Sequence, residues 1–245
     1  MMKAILKPRW ILTSLLVFLG VGALIRLGFW QLQRLEERRA FNARVLAQLN
    51  EPEINLNNPI PVDGLLNMEY RVVSVAGIYD HTQEVLLRNQ VWEDKPGYHI
   101  LTPLRIQGSN WSVLVDRGWI SLEDARNLKP FELPGLVTIK GRLRSPQTKP
   151  DFGGVPDPTL AAGEIGLFAW NVVNLERIQQ QVTFPLLPVY IQQEPNPAGP
   201  SALPVPTAPL PEISEGSHLG YAFQFFGFAF ILAFGYPFYL RQQLK

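Results

Sequence analysis

Ser217-His218-Leu219-Gly220-Tyr221-Ala222-Phe223-Gln224-Phe225-Phe226 opens the stretch that decides the fold, because from Leu219 to Leu240 no side chain is charged. A helix rises about 1.5 Å per residue, so a helical run of this length crosses a hydrocarbon layer of about 30 Å. Arg241 and Lys245 follow the run. We therefore predict a C-terminal membrane-spanning helix over residues 218–240 and a basic cytoplasmic tail over residues 241–245.

A second apolar segment, from Trp10 to Trp30, contains one charged residue, Arg26. The two tryptophans are placed as in the aromatic belts of membrane proteins. Arg26 lies one turn from Trp30, so its side chain can extend to the membrane surface. A cleaved signal peptide is the alternative, but the apolar character continues past the small residues where cleavage would occur. The sequence predicts an N-terminus of residues 1–9 and a spanning helix over residues 10–32.

Basic residues beside the spans predict their orientation. Arg241 and Lys245 follow the second span, and no Lys or Arg lies between Arg177 and that span. Basic residues flank the first span on both sides and do not orient it. Because two spans place both ends on one side, we predict cytoplasmic termini and an extracytoplasmic middle.

The residues between the spans change from a helical to a strand-like pattern. Residues 33–50 continue as an amphipathic membrane-proximal helix whose charged face is predicted to be solvated. From Tyr70 apolar residues recur with period two, in short runs bounded by turn residues. Asn174 is expected to cap a short helix ending near Gln181. We predict a β-rich α+β domain over residues 51–194, built as an antiparallel sheet or open barrel. The predicted strands are 71–79, 84–90, 98–106, 111–120, 136–143, 167–173 and 187–192.

A proline-rich segment, residues 195–217, follows this domain and is predicted to be an extended linker that returns the chain to the membrane. A proline-rich ligand for a partner protein is the less favoured alternative. The part of the segment up to Pro211 has little apolar periodicity.

Composition argues against several classes of function. All 21 acidic residues lie between Glu36 and Glu215, so the middle is mildly acidic and lacks the clustered basic surface of a nucleic-acid-binding protein. The chain has no cysteine, which removes disulfides, thiolate metal sites and covalent haem attachment through Cys-x-x-Cys-His. Its three histidines lack metal-ligand spacing, and no nucleophile or phosphate-loop motif is present. The sequence predicts no enzyme.

Two features carry candidate chemistry. The turn Asp116-Arg117-Gly118-Trp119 places two charges at a strand end, where they hold a ligand carboxylate or, as we favour, form an ion pair at a sheet edge. His99 is interpreted as an ordinary strand residue. His218 lies at the membrane interface, where a neutral imidazole can ligate haem iron. Tyr221 and Ala222 share its helix face, and Phe225 follows seven residues after His218, so that these residues could line a slot for a flat macrocycle. The alternative is a histidine that contacts lipid headgroups.

Short motifs along the whole chain resemble the SURF (surfeit locus protein) family of cytochrome c oxidase assembly factors, in a bacterial-type member. The resemblance rests on the order and spacing of the motifs between the two spans. They are Gly28-Phe29-Trp30-Gln31 with Arg34, Tyr70-Arg71, Gly77-Ile78-Tyr79, Leu87-Arg88-Asn89, Gly97-Tyr98, Val115-Asp116-Arg117-Gly118-Trp119-Ile120, Gly141-Arg142-Leu143, Pro188-Val189-Tyr190 and His218-Leu219-Gly220-Tyr221-Ala222.

The resemblance implies a multi-pass protein of the bacterial cytoplasmic (inner) membrane that acts as a chaperone in respiratory-chain biogenesis. It implies transient binding of haem a and its delivery to oxidase subunit I, with other assembly factors and membrane lipid as partners and no nucleic acid. The alternative is a scaffold that docks on oxidase subunits without a cofactor.

The same resemblance assigns residues to roles. His218 matches the family histidine implicated in haem binding and is the expected iron ligand, with Tyr221 beside it. If haem is bound, Arg26 and Arg34, which lie about one turn either side of Trp30, are by their position the expected partners of its propionates, because Arg binds carboxylates in planar pairs. The remaining motif residues are expected to be structural or to contact partners: Gly28, Trp30, Gln31, Asp116, Arg117, Gly118, Trp119 and Tyr190.

Overall fold

The computed structural model describes residues 8–59, 61–150, 153–160, 166–195, 203–207 and 210–243. The basic residues Lys3, Lys7 and Lys245, which entered the predicted orientation, lie outside the described residues, as do parts of the proline-rich linker. The chain divides into two compact units, one formed by Met1–Arg44 with Pro211–Lys245 and the other by Val45–Leu210. The described part of the chain has three α-helices: α1 (Pro8–Asn50), α2 (Leu175–Gln179) and α3 (His218–Gln243).

Two of these helices, α1 and α3, are long and apolar enough to cross a membrane. The 43 residues of α1 form one unbroken helix, because no proline lies between Pro8 and Pro52. It covers both the predicted first span and the predicted membrane-proximal helix. The 26 residues of α3 include Pro237, six residues before the helix ends at Gln243.

Within the first unit α1 and α3 pack against each other in opposite directions. Near one end the Tyr236 hydroxyl lies 2.8 Å from Ser14 Oγ and 3.1 Å from Thr13 Oγ1. Towards the other end the ring of Phe226 lies against Gly28 and meets Phe29 edge-on, with ring centroids 5.4 Å apart. Small residues and interhelical hydrogen bonds of this kind hold helices together in lipid.

The second unit contains a closed five-stranded barrel. Its strands run in the order β2 (Val72–Tyr79), β6 (Leu136–Arg144), β8 (Leu186–Gln193), β5 (Ser112–Ser121) and β4 (Lys95–Ile106), and β4 pairs with β2 to close the ring. Four of the five pairings are antiparallel, and β5–β8 is parallel. The predicted β-rich domain between two apolar helices is confirmed, and the structure adds the closure. The strands are β1 (Ile54–Asn55), β2 (Val72–Tyr79), β3 (Val85–Trp92), β4 (Lys95–Ile106), β5 (Ser112–Ser121), β6 (Leu136–Arg144), β7 (Ala169–Trp170) and β8 (Leu186–Gln193).

Alternation along β5 explains how the barrel buries both faces of its central strands. Val113 and Val115 belong to the main core, whereas Leu114 belongs to a second apolar cluster. Successive side chains of a strand point to opposite faces. The second cluster includes Trp170 and Ile178, from β7 and α2, so these short elements cover one outer face of the sheet. Asn174 caps α2 as predicted, accepting a hydrogen bond from the Arg177 amide.

Candidate functional site

His218, the first residue of α3, is hydrogen-bonded to α1. Its Nδ1 lies 2.7 Å from the side-chain oxygen Oε1 of Gln31, a buried residue. An amide oxygen can only accept, so Nδ1 carries the proton of this bond. In the neutral ring Nε2 then holds the lone pair. Among the described residues, Nε2 has no hydrogen-bond partner.

A glycine lies beside Nε2 of His218. Gly216, at φ +66°, lies there, and a Cβ built on it would be 3.8 Å from Nε2. The ring therefore presents an unbonded nitrogen next to a residue without a side chain. This arrangement suits a ligand atom that must remain accessible.

The segment that leads into His218 is attached to α1 by three side chains. Arg38 donates from Nη2 to the Glu212 carbonyl at 2.6 Å and from Nε to the Ser214 carbonyl at 3.0 Å. Asn42 donates to the same Ser214 carbonyl at 3.0 Å.

A bidentate ion pair completes this attachment. Arg39 binds Glu215 through bonds of 2.7 and 2.9 Å, and its hydrogen bond lowers the pKa of the Glu215 carboxyl. The charged face of α1 was predicted to be solvated: Arg39 is exposed while it pairs with Glu215, and Arg38 is partly buried where it binds this segment. The sequence offered no signal for these contacts, since 172 to 176 residues separate the partners.

The residues predicted to lie on the helix face of His218 have two roles. Ala222 is fully buried and Phe226 packs on Gly28, so these residues serve the contact between the helices. Tyr221 is about half exposed. Phe225 is partly buried. Tyr221 and Phe225 thus remain available on the helix surface.

Arg26 and Arg34 are not brought to the imidazole. Arg26 is exposed and lies about 140° around α1 from Gln31 at 100° per residue. Arg34 donates to Glu37 at 2.6 Å, in an exposed pair one turn apart. Trp30 is also exposed. The role of Arg26 and Arg34 as partners of the haem propionates stays a prediction. The side chain that contacts the His218 ring in the structure is that of Gln31.

The Asp116-Arg117-Gly118-Trp119 turn lies in the interior of the sheet. Ile100 pairs with Gly118 and Leu101 with Asp116, so Arg117 is the extra residue of a β-bulge. The bulge turns both charged side chains inwards, and each is at most 4% exposed. The two charges bind different partners, so the predicted ion pair at a sheet edge is replaced by two buried pairs on a central strand.

His99 is the partner of Asp116. The sequence pattern indicates an ordinary strand residue, whereas the structure shows a buried polar residue. Its Nδ1 donates to Asp116 Oδ2 at 2.9 Å, while Asp116 Oδ1 accepts from the Gly118 amide at 3.1 Å. The contact depends on the register of β4 against β5 and on the bulge. A single sequence shows neither.

Glu84 is the partner of Arg117. Its Oε1 accepts from Arg117 Nη1 at 2.9 Å, Thr102 Oγ1 at 2.7 Å and His81 Nδ1 at 2.7 Å. The Arg117 guanidinium also lies 4.9 Å from the ring centre of Tyr79. Desolvation raises the pKa of the buried Tyr79 hydroxyl. Buried charges persist only with such compensation.

Part of the proline-rich linker is bound to the barrel. The Trp119 amide donates to the Val205 carbonyl at 2.7 Å, and the Val205 amide donates back at 2.8 Å. Thr207 Oγ1 lies 2.8 Å from His99 Nε2. The linker was predicted to be extended, and the structure adds a contact with the barrel that was not predicted, which Val205 can make because it has the N–H that its proline neighbours lack.

Tyr190, the last motif residue, lies opposite Leu114 in the parallel β5–β8 pair. Burial raises the pKa of its hydroxyl to about 12, and nearby Arg144 opposes the rise. Its ring packs against the second apolar cluster. Tyr190 therefore has a structural role in the barrel.

A protein-only metal centre is not formed by the residues that the structure describes, since no three His, Cys, Asp or Glu side chains are grouped to hold an ion. His218 offers one nitrogen. It suits a metal that brings most of its other ligands with it.

Comparison with known proteins gives a match to the SURF1 family over residues 18–230, a range that contains Gln31, the Asp116–Trp119 turn and His218. The chain is 30% identical over 242 residues to a SURF1-like protein of Rickettsia conorii, covering 95% of this chain and 92% of the relative. It is 32% identical over 118 residues to the cytochrome oxidase assembly protein SHY1 of Saccharomyces cerevisiae, covering 46% and 30%. Human surfeit locus protein 1 is 26% identical over 145 residues, covering 51% and 47%.

Proposed function

Because this chain belongs to the SURF1 family, we propose that it is a membrane-anchored assembly factor for haem–copper (cytochrome c) oxidase. The name of the yeast relative, a cytochrome oxidase assembly protein, supports this function. The two helices long enough to span a membrane support the anchoring. The partners would be oxidase subunit I and other assembly factors.

The histidines of the barrel support a role without catalysis. His99 and His81 each pair with a carboxylate, a combination found in general bases. The second nitrogen of His99 faces Thr207, and that of His81 accepts from the Leu133 amide at 3.0 Å. Both rings are thus used within the fold and neither offers a base to a substrate.

We propose further that the protein binds haem a transiently through His218 and aids its delivery to subunit I. The observation that carries this is the bond from Nδ1 to Gln31, which leaves Nε2 unbonded on a ring held from the opposite side. A single accessible imidazole nitrogen fits haem, whose macrocycle supplies four ligands of its own. His218 would hold the haem through Nε2, and bound haem would supply the iron.

The other residues of the site would bind and shield the macrocycle. Tyr221 and Phe225 lie on the same helix as His218 and offer aromatic surface to a flat ring. Arg26 and Arg34 are the proposed partners of the propionates, and Arg34 would have to leave Glu37 to bind one. Polar partners at the membrane surface would orient the ring edge towards water.

The proposed location is the bacterial cytoplasmic (inner) membrane, with both termini in the cytoplasm and the barrel outside. Arg241 follows the second span, and no Lys or Arg lies between Arg177 and that span. Positive residues are retained on the cytoplasmic side.

The test is the absorbance of the detergent-purified protein after co-expression with the enzymes of haem a synthesis. We expect a Soret band in the unmutated protein, its loss in His218→Ala, and no change in Gln224→Ala, a control at an exposed position on the same helix. Equal haem content in His218→Ala and the unmutated protein would remove this residue as the ligand. Absence of haem from the unmutated protein would remove the cofactor role altogether.

The alternative, a scaffold that docks on oxidase subunits without a cofactor, is favoured by one surface of the barrel. Ile78, Trp111 and Leu136 are exposed there around a groove of about 680 Å³. Exposed apolar surface of this kind marks sites of protein interaction. If haem is absent while Trp111→Ser lowers the recovery of oxidase subunits with the protein, the scaffold function stands.

A further inference from the structure

We infer that Gln31 is the positioning residue of His218: its side-chain oxygen fixes the imidazole in the Nδ1–H tautomer and so makes Nε2 the ligand atom. The inference rests on the proposed function, because the tautomer matters for haem only if His218 binds it. Its physical content, the tautomer of one ring, is independent of haem and can be measured without it.

The geometry of the bond decides the tautomer. At 2.7 Å the contact between Nδ1 and Oε1 is a short, well-formed hydrogen bond, and the amide oxygen has no proton to give. A ring protonated at Nε2 instead would place two lone pairs face to face across this distance. The Nδ1–H form is therefore favoured as long as Gln31 keeps Oε1, and not its NH2 group, turned towards the ring, as it is in the structure.

The acceptor is itself held in place. Gln31 is buried on α1, one turn from Gly28, where Phe226 of α3 packs. On the other side, Arg38 and Asn42 bind the chain just before His218. The imidazole thus lies between two contacts of α1 with the chain around the start of α3, one at Phe226 and one at Ser214. These contacts limit both the position and the rotation of the ring.

Other polar side chains of this part of α1 are used elsewhere. Gln33 donates to Glu37 at 3.1 Å, Arg34 pairs with the same carboxylate, and Asn42 binds Ser214. Gln31 lies on the same face of α1 as Asn42, about 20° around the helix axis from it, and its side chain reaches His218. In metal sites such a second partner orients the ligand and raises its basicity, and its loss typically costs about 10–100-fold in affinity.

The first experiment reads the tautomer directly, by nitrogen-15 NMR of histidine-labelled, haem-free protein in detergent. The chain has three histidines, and the structure gives His81 and His99 carboxylate partners at Nδ1, so both serve as internal references. We expect His218 to be protonated at Nδ1 in the unmutated protein and in Gln31→Glu. We expect protonation to move to Nε2 in Gln31→Leu and Gln31→Met, which remove the acceptor.

The outcomes separate positioning from packing. If His218 stays protonated at Nδ1 in both apolar variants, or is protonated at Nε2 in the unmutated protein, the inference is overturned. A role in packing alone would be satisfied by leucine or methionine as well as by glutamate. Gln33→Leu, at an exposed position two residues along, is the matched control and should leave the His218 spectrum unchanged.

The second experiment measures haem affinity and the reduction potential of the bound haem. We expect Gln31→Leu to weaken haem binding about 10–100-fold, and Gln31→Glu to retain binding with a lower potential because a carboxylate makes the ligand more basic. Equal affinity in all variants would overturn the role of Gln31 towards haem. Haem absent from the unmutated protein overturns the proposed function instead, and the NMR result still decides the tautomer.

Discussion

Phe226 of α3 occupies the space that a side chain at Gly28 of α1 would need: a Cβ built on Gly28 lies 2.5 Å from Phe226 Cε1. Gly28→Ala should therefore separate the helices beside His218 and destabilise the protein by about 1–3 kcal/mol, the usual cost of overpacking. The measurement is unfolding of the detergent-solubilised protein, followed by circular dichroism. Adding Phe226→Leu to Gly28→Ala should recover most of the loss.

Gly22→Ala is the matched control for that change, since a Cβ at Gly22 meets nothing within 4 Å. Alanine favours a helix over glycine by up to about 1 kcal/mol, so this variant should be neutral or more stable. Equal losses in both variants would show that the Phe226 contact is not the cause.

Gly118→Ala should release the linker from the barrel. Gly118 has φ +116°, and a Cβ there would collide with the Val205 carbonyl. We expect a loss of about 1–3 kcal/mol from backbone strain, with faster hydrogen exchange at the amides of Trp119 and Val205. Gly108→Ala, at φ +80° with open space around it, reports strain without collision and should leave those two amides protected.

Glu84→Gln should be among the most damaging single changes in the barrel. It leaves the buried guanidinium of Arg117 without its counter-charge, and breaking a buried pair typically costs about 3–5 kcal/mol. Glu37→Gln breaks an exposed pair with Arg34 and should cost no more than about 0.5 kcal/mol. Chemical unfolding of both variants gives the comparison, and similar values would refute the assignment of Glu84 as the buried counter-ion.

Alkaline pH should destabilise the barrel through Tyr190. Burial raises the pKa of its hydroxyl to about 12, above the ordinary value near 10. Since the folded pKa is the higher one, the stabilising contribution is complete below pH 10 and is lost as the pH rises towards 12. Tyr190→Phe keeps the ring and cannot ionise, so it should lose roughly 2–3 kcal/mol less stability across this window. Parallel pH curves for both proteins would exclude Tyr190 as the source.

The absence of cysteine allows a direct test of topology. Asn110→Cys lies in the exposed β4–β5 turn, and Gln243→Cys lies at the exposed end of α3. In right-side-out spheroplasts a membrane-impermeant maleimide should label the first variant, and label the second only after permeabilisation. The reverse pattern would contradict cytoplasmic termini.

Much of the secondary structure was predictable because local pattern determines it. The period-two runs predicted β2, β3, β4, β5, β6 and β8 to within three residues at each end, and the Asn174 cap located α2. β7 is shorter than predicted, two residues instead of seven, since it pairs only at its contact with β3. Closure of the barrel was not predictable, because it depends on Gly77, Ile78 and Tyr79 pairing with residues near the end of β4.

The candidate site was half predictable. His218 could be selected from its place beside an aromatic span, but its partner Gln31 lies 187 residues away. That pairing depends on the lengthwise register of α1 against α3. Contacts such as that of Phe226 with Gly28 determine this register. The buried pairs of Asp116 and Arg117 were equally unpredictable from the sequence, because a bulge in β5 decides which side chains point inwards.

The place of β8 in the barrel has a consequence for biogenesis. β8 lies between β5 and β6, two strands that follow each other in the chain, and residues 145–185 separate β6 from it. During synthesis the edges of β5 and β6 that pair with β8 therefore stay unpaired until residues 186–193 emerge. Unpaired strand edges are sites of aggregation. A nascent chain stalled before residue 186 should thus depend on chaperones and be open to proteases, and release of β8 is the step that ends this exposure.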